Sequence, residues 1–168
     1  TRGLSQVTSA ELPFALAVFS VALLYQTLSV TEIVAAQQSG VMSWTLFTNP
    51  LAVSAAMLSF LGSMMRPPFD VVLAPQEIPI GPPTEYHSSY LALMQSNRAL
   101  FPIAKMVIFM NLFFGGASSW PEFFLKIFLI YMVSVLVGVV FPRFHVHQSI
   151  RWFLIWAVPL GIASVIWV

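Results

Sequence analysis

The stretch PEFFLKIFLIYMVSVLVGVVF, Pro121 to Phe141, decides the fold. It holds one Glu and one Lys near its start and is otherwise almost wholly apolar. A helix needs about 20 predominantly apolar residues to cross the hydrocarbon core of a bilayer. One that is apolar on every side cannot stand in water and must be surrounded by lipid or protein. Pro121 fits its first turn, where the missing N–H costs nothing.

The rest of the chain agrees. Of 168 residues, 58% are hydrophobic and 8% charged, against roughly 25% charged in soluble domains. Mean hydropathy is +0.86. So little polar surface cannot cover a water-facing exterior, and the chain reads as an all-α integral membrane protein in contact with the lipid bilayer. Five spans are expected, at about 12–34, 44–65, 90–114, 121–141 and 150–168, in a single membrane domain over 1–168. Pro13 is expected in the first turn of the first span. Pro50, Pro102 and Pro159 fall inside spans and predict kinks or broken ladders. The net charge of +1, with no Lys/Arg cluster, argues against nucleic acid. Cysteine is absent, which excludes disulfides and thiolate metal sites. There is no internal repeat, and the chain opens at Thr1 rather than Met.

Orientation follows from the basic residues. With five spans, Arg2, Arg66, Arg143 and Arg151 all flank one side, while the connections 35–43 and 115–120 contain no Lys or Arg. The arginine-rich side is expected to be cytoplasmic. It includes the longest connection, 66–89, within RPPFDVVLAPQEIPIGPPTEYHSSY (Arg66 to Tyr90). That stretch gathers three of the six acids, Asp70, Glu77 and Glu85, and six of the twelve prolines. The prolines stiffen the loop, and Arg66 can pair with Asp70 across Pro67-Pro68-Phe69. Ile78 and Ile80 on a rigid loop imply that it is covered, by its own helices or by a partner. A covered carboxylate holds its proton more tightly and can exchange it near neutral pH.

The remaining ionisable residues are few. Glu11 lies in TSAELPF, where Ser9 or Thr8 is a candidate N-cap and an acid suits the helix dipole. Glu32 is expected to reach the headgroups at the far end of the same span. Arg98 and Lys105 lie in the third span, and Lys105 falls about 24 Å along it at 1.5 Å per residue. A cation at that depth needs a partner, for which Glu11 is the candidate. Lys126 is placed to snorkel outward, and Gln95 and Asn111 to bond between helices. His87 is a candidate proton relay or an ordinary loop residue. His145 and His147 lack a third ligand in view, so no metal site is assigned. No nucleophile–base pair or cofactor fingerprint is present, and covalent chemistry by this chain alone is not expected.

RPPFD, then QEI, then TEY eight residues after Glu77, resembles the signature loop of the H-type membrane subunit family of complex I. That family is the proximal membrane-arm component of NADH:quinone oxidoreductase and of related membrane-bound hydrogenase, formate hydrogenlyase and sulfane reductase complexes. TSAELP, LSVTEIVAAQQ and FPRFHVHQSIRW resemble further motifs of the family in the same order. The resemblance covers essentially the whole chain but only the back half or so of the family's full-length protein, so further spans are expected ahead of Thr1. It implies a multi-pass protein of the plasma or inner membrane. Such a protein docks a cytoplasmic electron-transfer arm onto an ion-translocating membrane arm. By position, Glu11, Arg66, Asp70, Glu77, Glu85 and Tyr86 would be coupling residues, with Arg143 matching the arginine of the C-terminal F-P-R.

The expected partners are hydrogenase-like or quinone-reductase-like large and small cytoplasmic subunits and antiporter-like membrane subunits. Iron–sulfur clusters would lie in partners, with no cofactor on this chain. Ser63, Pro75 and Arg98 stand where the family carries acids, a thinning that favours a hydrogenase or sulfane-reductase type of complex over NADH:quinone oxidoreductase. The rival readings are a stand-alone transporter, disfavoured by the missing inverted repeat, and a purely structural anchor.

Overall fold

The computed structural model describes residues 2–64, 68–69 and 87–168. The described residues form helices and connections, with no strand among them. Helix α1 runs Arg2–Tyr25, α2 Val30–Gln37, α3 Thr45–Thr48 and α4 Pro50–Ser63. Beyond the loop come α5 Ser88–Phe113, α6 Trp120–Val140, α7 Val146–Trp152 and α8 Val158–Trp167. One π-helical turn, Phe153–Ala157, joins α7 to α8. Among the described residues, three helical stretches are long and apolar enough to cross a membrane: Ser5–Tyr25, Trp120–Val140 and Val146–Trp167. Pro50–Ser63 is apolar but shorter. Helix α5 has the length, at 26 residues, but its first half is interrupted by Ser88, Ser89, Gln95, Ser96, Asn97 and Arg98.

Helices α5 and α6 run close to the third and fourth expected spans; the other helices have different bounds. The first helix begins ten residues earlier than expected and ends at Tyr25. Gln26 takes a left-handed φ of 52°, which few side chains adopt, and this ends α1. Pro13 is therefore interior, not in a first turn. Ser9 does not cap the helix; its hydroxyl donates to the Gln6 carbonyl within it, at 2.8 Å. Glu32 belongs to the separate α2, where its carboxylate accepts from the Thr27 hydroxyl. The second span is two pieces, because Pro50 cannot continue a ladder from α3. The fifth starts at Val146 rather than Ile150.

Helices α1, α4 and α8 form the tightest unit. Small residues let them approach, as membrane helices require. At Gly62 an added Cβ would run into the Phe153 ring and lie 2.9 Å from the Ala10 Cβ; at Gly161 it would lie 3.0 Å from the Leu16 Cβ. Buried polar groups then lock the register. Asn49 caps α4 by accepting from the Ala52 N–H at 3.1 Å. Its amide donates to the Ser20 hydroxyl at 2.9 Å and the Ser164 carbonyl at 3.1 Å. The Ser59 hydroxyl donates to the Ala10 carbonyl. Helix α6 packs chiefly on α5.

Candidate functional site

Two of the predicted residues meet between α1 and α5. The Lys105 ammonium on α5 is ion-paired with the Glu11 carboxylate on α1. The Phe101 ring centroid lies 4.9 Å from that ammonium and the Phe14 centroid 6.0 Å. The lysine side chain is 14% exposed and the glutamate 39%. Glu11 sits on an interior turn of α1, so it answers Lys105 and not the helix dipole. Each partner has a proline close by in its own helix, Pro13 two residues after Glu11 and Pro102 three before Lys105. A proline removes one ladder bond and lets a helix bend, so the pair lies where both helices can bend.

The root of the proline-rich loop is fixed to the same helix. The Gln6 amide, 2% exposed, donates to the Phe69 carbonyl at 2.8 Å. The Phe69 ring, also 2% exposed, lies 4.7 Å from the Phe153 ring, 5.3 Å from Trp152 and 5.5 Å from Phe144. The Phe144 N–H donates to the Pro68 carbonyl at 3.0 Å. The loop therefore leaves α4 pinned between α1 and the connection preceding α7. Gln6 and Glu11 stand five residues apart on α1, about 7.5 Å of rise.

The structure leaves other predicted residues apart. Arg66, Pro67, Asp70, Glu77, Glu85 and Tyr86 lie outside the described residues, as does Pro75. His87 is the exposed N-cap residue of α5, with no side-chain cap bond. Arg98 lies on α5, seven residues before Lys105. Arg143 is exposed in the connection before α7, and Arg151 is exposed in the last turn of α7. Gln95 is exposed rather than bonded between helices. Among the described residues no three His, Cys, Asp or Glu side chains gather as a metal site would need.

Lys126 does not snorkel outward. Its ammonium turns inward, donating to the Phe114 carbonyl at 2.8 Å and the Gly116 carbonyl at 2.6 Å. It also pairs with Glu122 at 2.6 Å and lies 4.2 Å from the Trp44 ring centroid. Gly115 and Gly116 make this possible. Their φ angles of 69° and 66° turn the chain back, and a Cβ on Gly115 would meet the Trp44 indole nitrogen at 2.8 Å. Glu122 is a residue that sequence reasoning passed over. The available signal was Ser118 four residues before it and Lys126 four after. Its carboxylate accepts from both the N–H and the hydroxyl of Ser118, at 3.0 and 2.7 Å.

The family model described as NADH dehydrogenase matches residues 1–168. The chain belongs to that family. It is 31% identical to the H subunit of the NADH-quinone oxidoreductase of Protochlamydia amoebophila (strain UWE25) over 172 residues, 98% of this chain and 51% of the relative. An H subunit of the Geobacter sulfurreducens NADH-quinone oxidoreductase is also 31% identical, over 173 residues, covering 98% and 49%. A solved structure of the membrane-bound sulfane sulfur reductase, an archaeal respiratory membrane complex, contains a similar chain. The TM-score is 0.87 at 30% identity, covering 98% of this chain and 57% of that one. The chain thus spans about half the length of the curated relatives it matches. Family membership and the three apolar helices make it membrane-embedded, and the motif resemblance agrees with the family over the full length.

Proposed function

We propose that this chain is part of the membrane subunit that joins a cytoplasmic iron–sulfur arm to an ion-translocating arm in a complex I-related oxidoreductase. The observation that supports this reading best is the Glu11–Lys105 pair. It is an ionisable couple between two helices of a membrane protein, placed on the same helix that grips the loop root through Gln6. Ionisable groups at membrane depth are costly and usually functional. Reduction next to the loop would shift the protonation of Asp70, Glu77 and Glu85. That change of charge would bias the pair, with Arg98 two turns away on α5. The chain itself would be non-catalytic, and the loop would face the cytoplasm.

The acids replaced by Ser63, Pro75 and Arg98 favour a sulfane-reductase or hydrogenase type of complex over NADH:quinone oxidoreductase. Overall identity does not separate the branches, since the relatives above stand at 31% and 30%. The test uses the whole complex in native membranes, with Glu11→Gln and Glu85→Gln compared for electron transfer, ion translocation and yield. Coupling predicts retained electron transfer and yield with fewer ions moved per electron. An anchor role predicts lower yield at unchanged ions per electron, and that result would overturn the proposal.

A further inference from the structure

We propose that this chain binds one membrane lipid in an amphipathic slot beside α6, at the end of the bundle opposite the loop root. Two cavities adjoin there. One, about 510 Å³, is almost wholly apolar. The other, about 310 Å³, exposes as much polar as apolar surface. Val41, Trp44, Glu122 and Lys126 line both, so the two form one slot with a change of polarity part-way along. Each volume falls in the range of about 300–1,000 Å³ usual for small-molecule sites.

The apolar part fits an acyl chain. Its outer wall is the stripe Leu125, Leu129 and Val133, at i, i+4 and i+8 of α6, and its floor is Met57 and Phe109. Leu125 and Leu129 are more than half exposed, so the slot opens along the side of a helix long and apolar enough to span a membrane. Trp44 stands at the change of polarity, the level where membrane proteins favour aromatic side chains. An occupant that is apolar below and polar above matches a lipid, whereas a neighbouring membrane helix would leave the polar part unfilled.

The hydrogen-bonding inventory narrows the headgroup. A lysine ammonium has three donors. All three of Lys126 are used, on the Phe114 carbonyl, the Gly116 carbonyl and Glu122. Gln37 is likewise used at both ends of its amide, by the Leu112 carbonyl and the Thr45 N–H. What the polar part has to spare is acceptor capacity on the Glu122 carboxylate, beside N–H donors on Gln38 and the Trp44 indole, which also line it. A carboxylate takes about four hydrogen bonds, and here Ser118 supplies two and Lys126 one. The site therefore suits a zwitterionic head, whose ammonium N–H groups meet Glu122 while its phosphate oxygens meet Gln38 and Trp44, over one that offers no N–H donor. The head would rest against the Gly115–Gly116 connection, and the tail would support α6 on the flank α5 leaves open.

The experiment compares phosphatidylethanolamine, whose ammonium has three N–H donors, with phosphatidylcholine, whose trimethylammonium has none. The intact complex containing this chain is stripped with detergent and exchanged into each lipid, and retained lipid is counted by native mass spectrometry. One phosphatidylethanolamine per chain is expected to survive, with at least a tenfold preference over phosphatidylcholine. Leu129→Trp should abolish retention by filling the tail space. Leu136→Trp, on the same helix outside the slot, should not. Equal retention of the two lipids overturns the proposal, as does unchanged retention in Leu129→Trp or a protein segment seated in the slot of the assembled complex. The lipid comparison on unaltered protein decides the matter even where Leu129→Trp does not assemble. None of these outcomes depends on the coupling role of Glu11.

Discussion

Replacing Glu11 by Gln leaves the Lys105 ammonium with two aromatic rings in place of a carboxylate. Two unit charges about 4 Å apart at an effective dielectric constant of 20 attract by about 4 kcal/mol, which sets the ceiling. Glu11 is 39% exposed, so solvent screens part of this, and the Phe101 and Phe14 faces retain about 1 kcal/mol of cation–π attraction. Glu11→Gln should then destabilise by about 2 kcal/mol, below the 3–5 kcal/mol typical of breaking a fully buried pair. Lys105→Met leaves the more exposed partner alone and should cost about 1 kcal/mol, because the stranded carboxylate is better hydrated. The double variant has no stranded charge and should lie within about 1 kcal/mol of the unaltered protein, a coupling of at least about 2 kcal/mol. The assay is denaturant unfolding of the complex in detergent for all four proteins. Strict additivity, with a coupling below about 0.5 kcal/mol, would refute the ion pair as an energetic unit.

Two packing predictions accompany it. Asn49→Ala removes the α4 cap and both bonds to Ser20 and Ser164, and should cost at least about 2 kcal/mol in the same assay; Asn49→Asp should recover the cap but not the amide donors. Gly62→Ala drives a methyl group into the Phe153 ring and towards Ala10. The overpacking, about 1–3 kcal/mol, should outweigh the gain in helix propensity of about 1 kcal/mol. Phe153→Leu in the same chain should relieve part of the loss, and a Gly62→Ala protein more stable than the original would show that the contact has room to give.

The class of fold was legible in the sequence because it depends on composition and window hydropathy, which need no neighbours. Helix α6 is the clear case: Pro121 opens it and apolar residues fill it, so its predicted and observed bounds nearly coincide. Helix ends set by single backbone events were less legible. Gln26 has no residue signature for its left-handed turn, so α1 and α2 read as one span. The polar segment RGLSQVTSA continues α1 because Gln6 and Ser9 find partners within the fold, and no propensity predicts that. Glu11 and Lys105 were recognisable as a cation and a candidate counter-ion, since charge in an apolar span calls for compensation. Lys126 was misread for a related reason. Its distance from the helix start suggested an outward reach, while its true partners are backbone carbonyls turned towards it by Gly115 and Gly116.

The sequence by itself determined that the chain lives in lipid, that it is helical, and which scarce polar groups need partners. Those are properties of transfer free energy, residue by residue. Only the tertiary structure decided which partner each group takes: Glu11 for Lys105, Phe69 for Gln6, two carbonyls and Glu122 for Lys126. In an apolar medium every buried donor must find an acceptor, but several acceptors satisfy the same requirement equally well. For Gln6 the choice is made by how closely Ala10 and Gly62 let α1 and α4 approach, and for Lys126 by the turn at Gly115 and Gly116; both are properties of the packed fold.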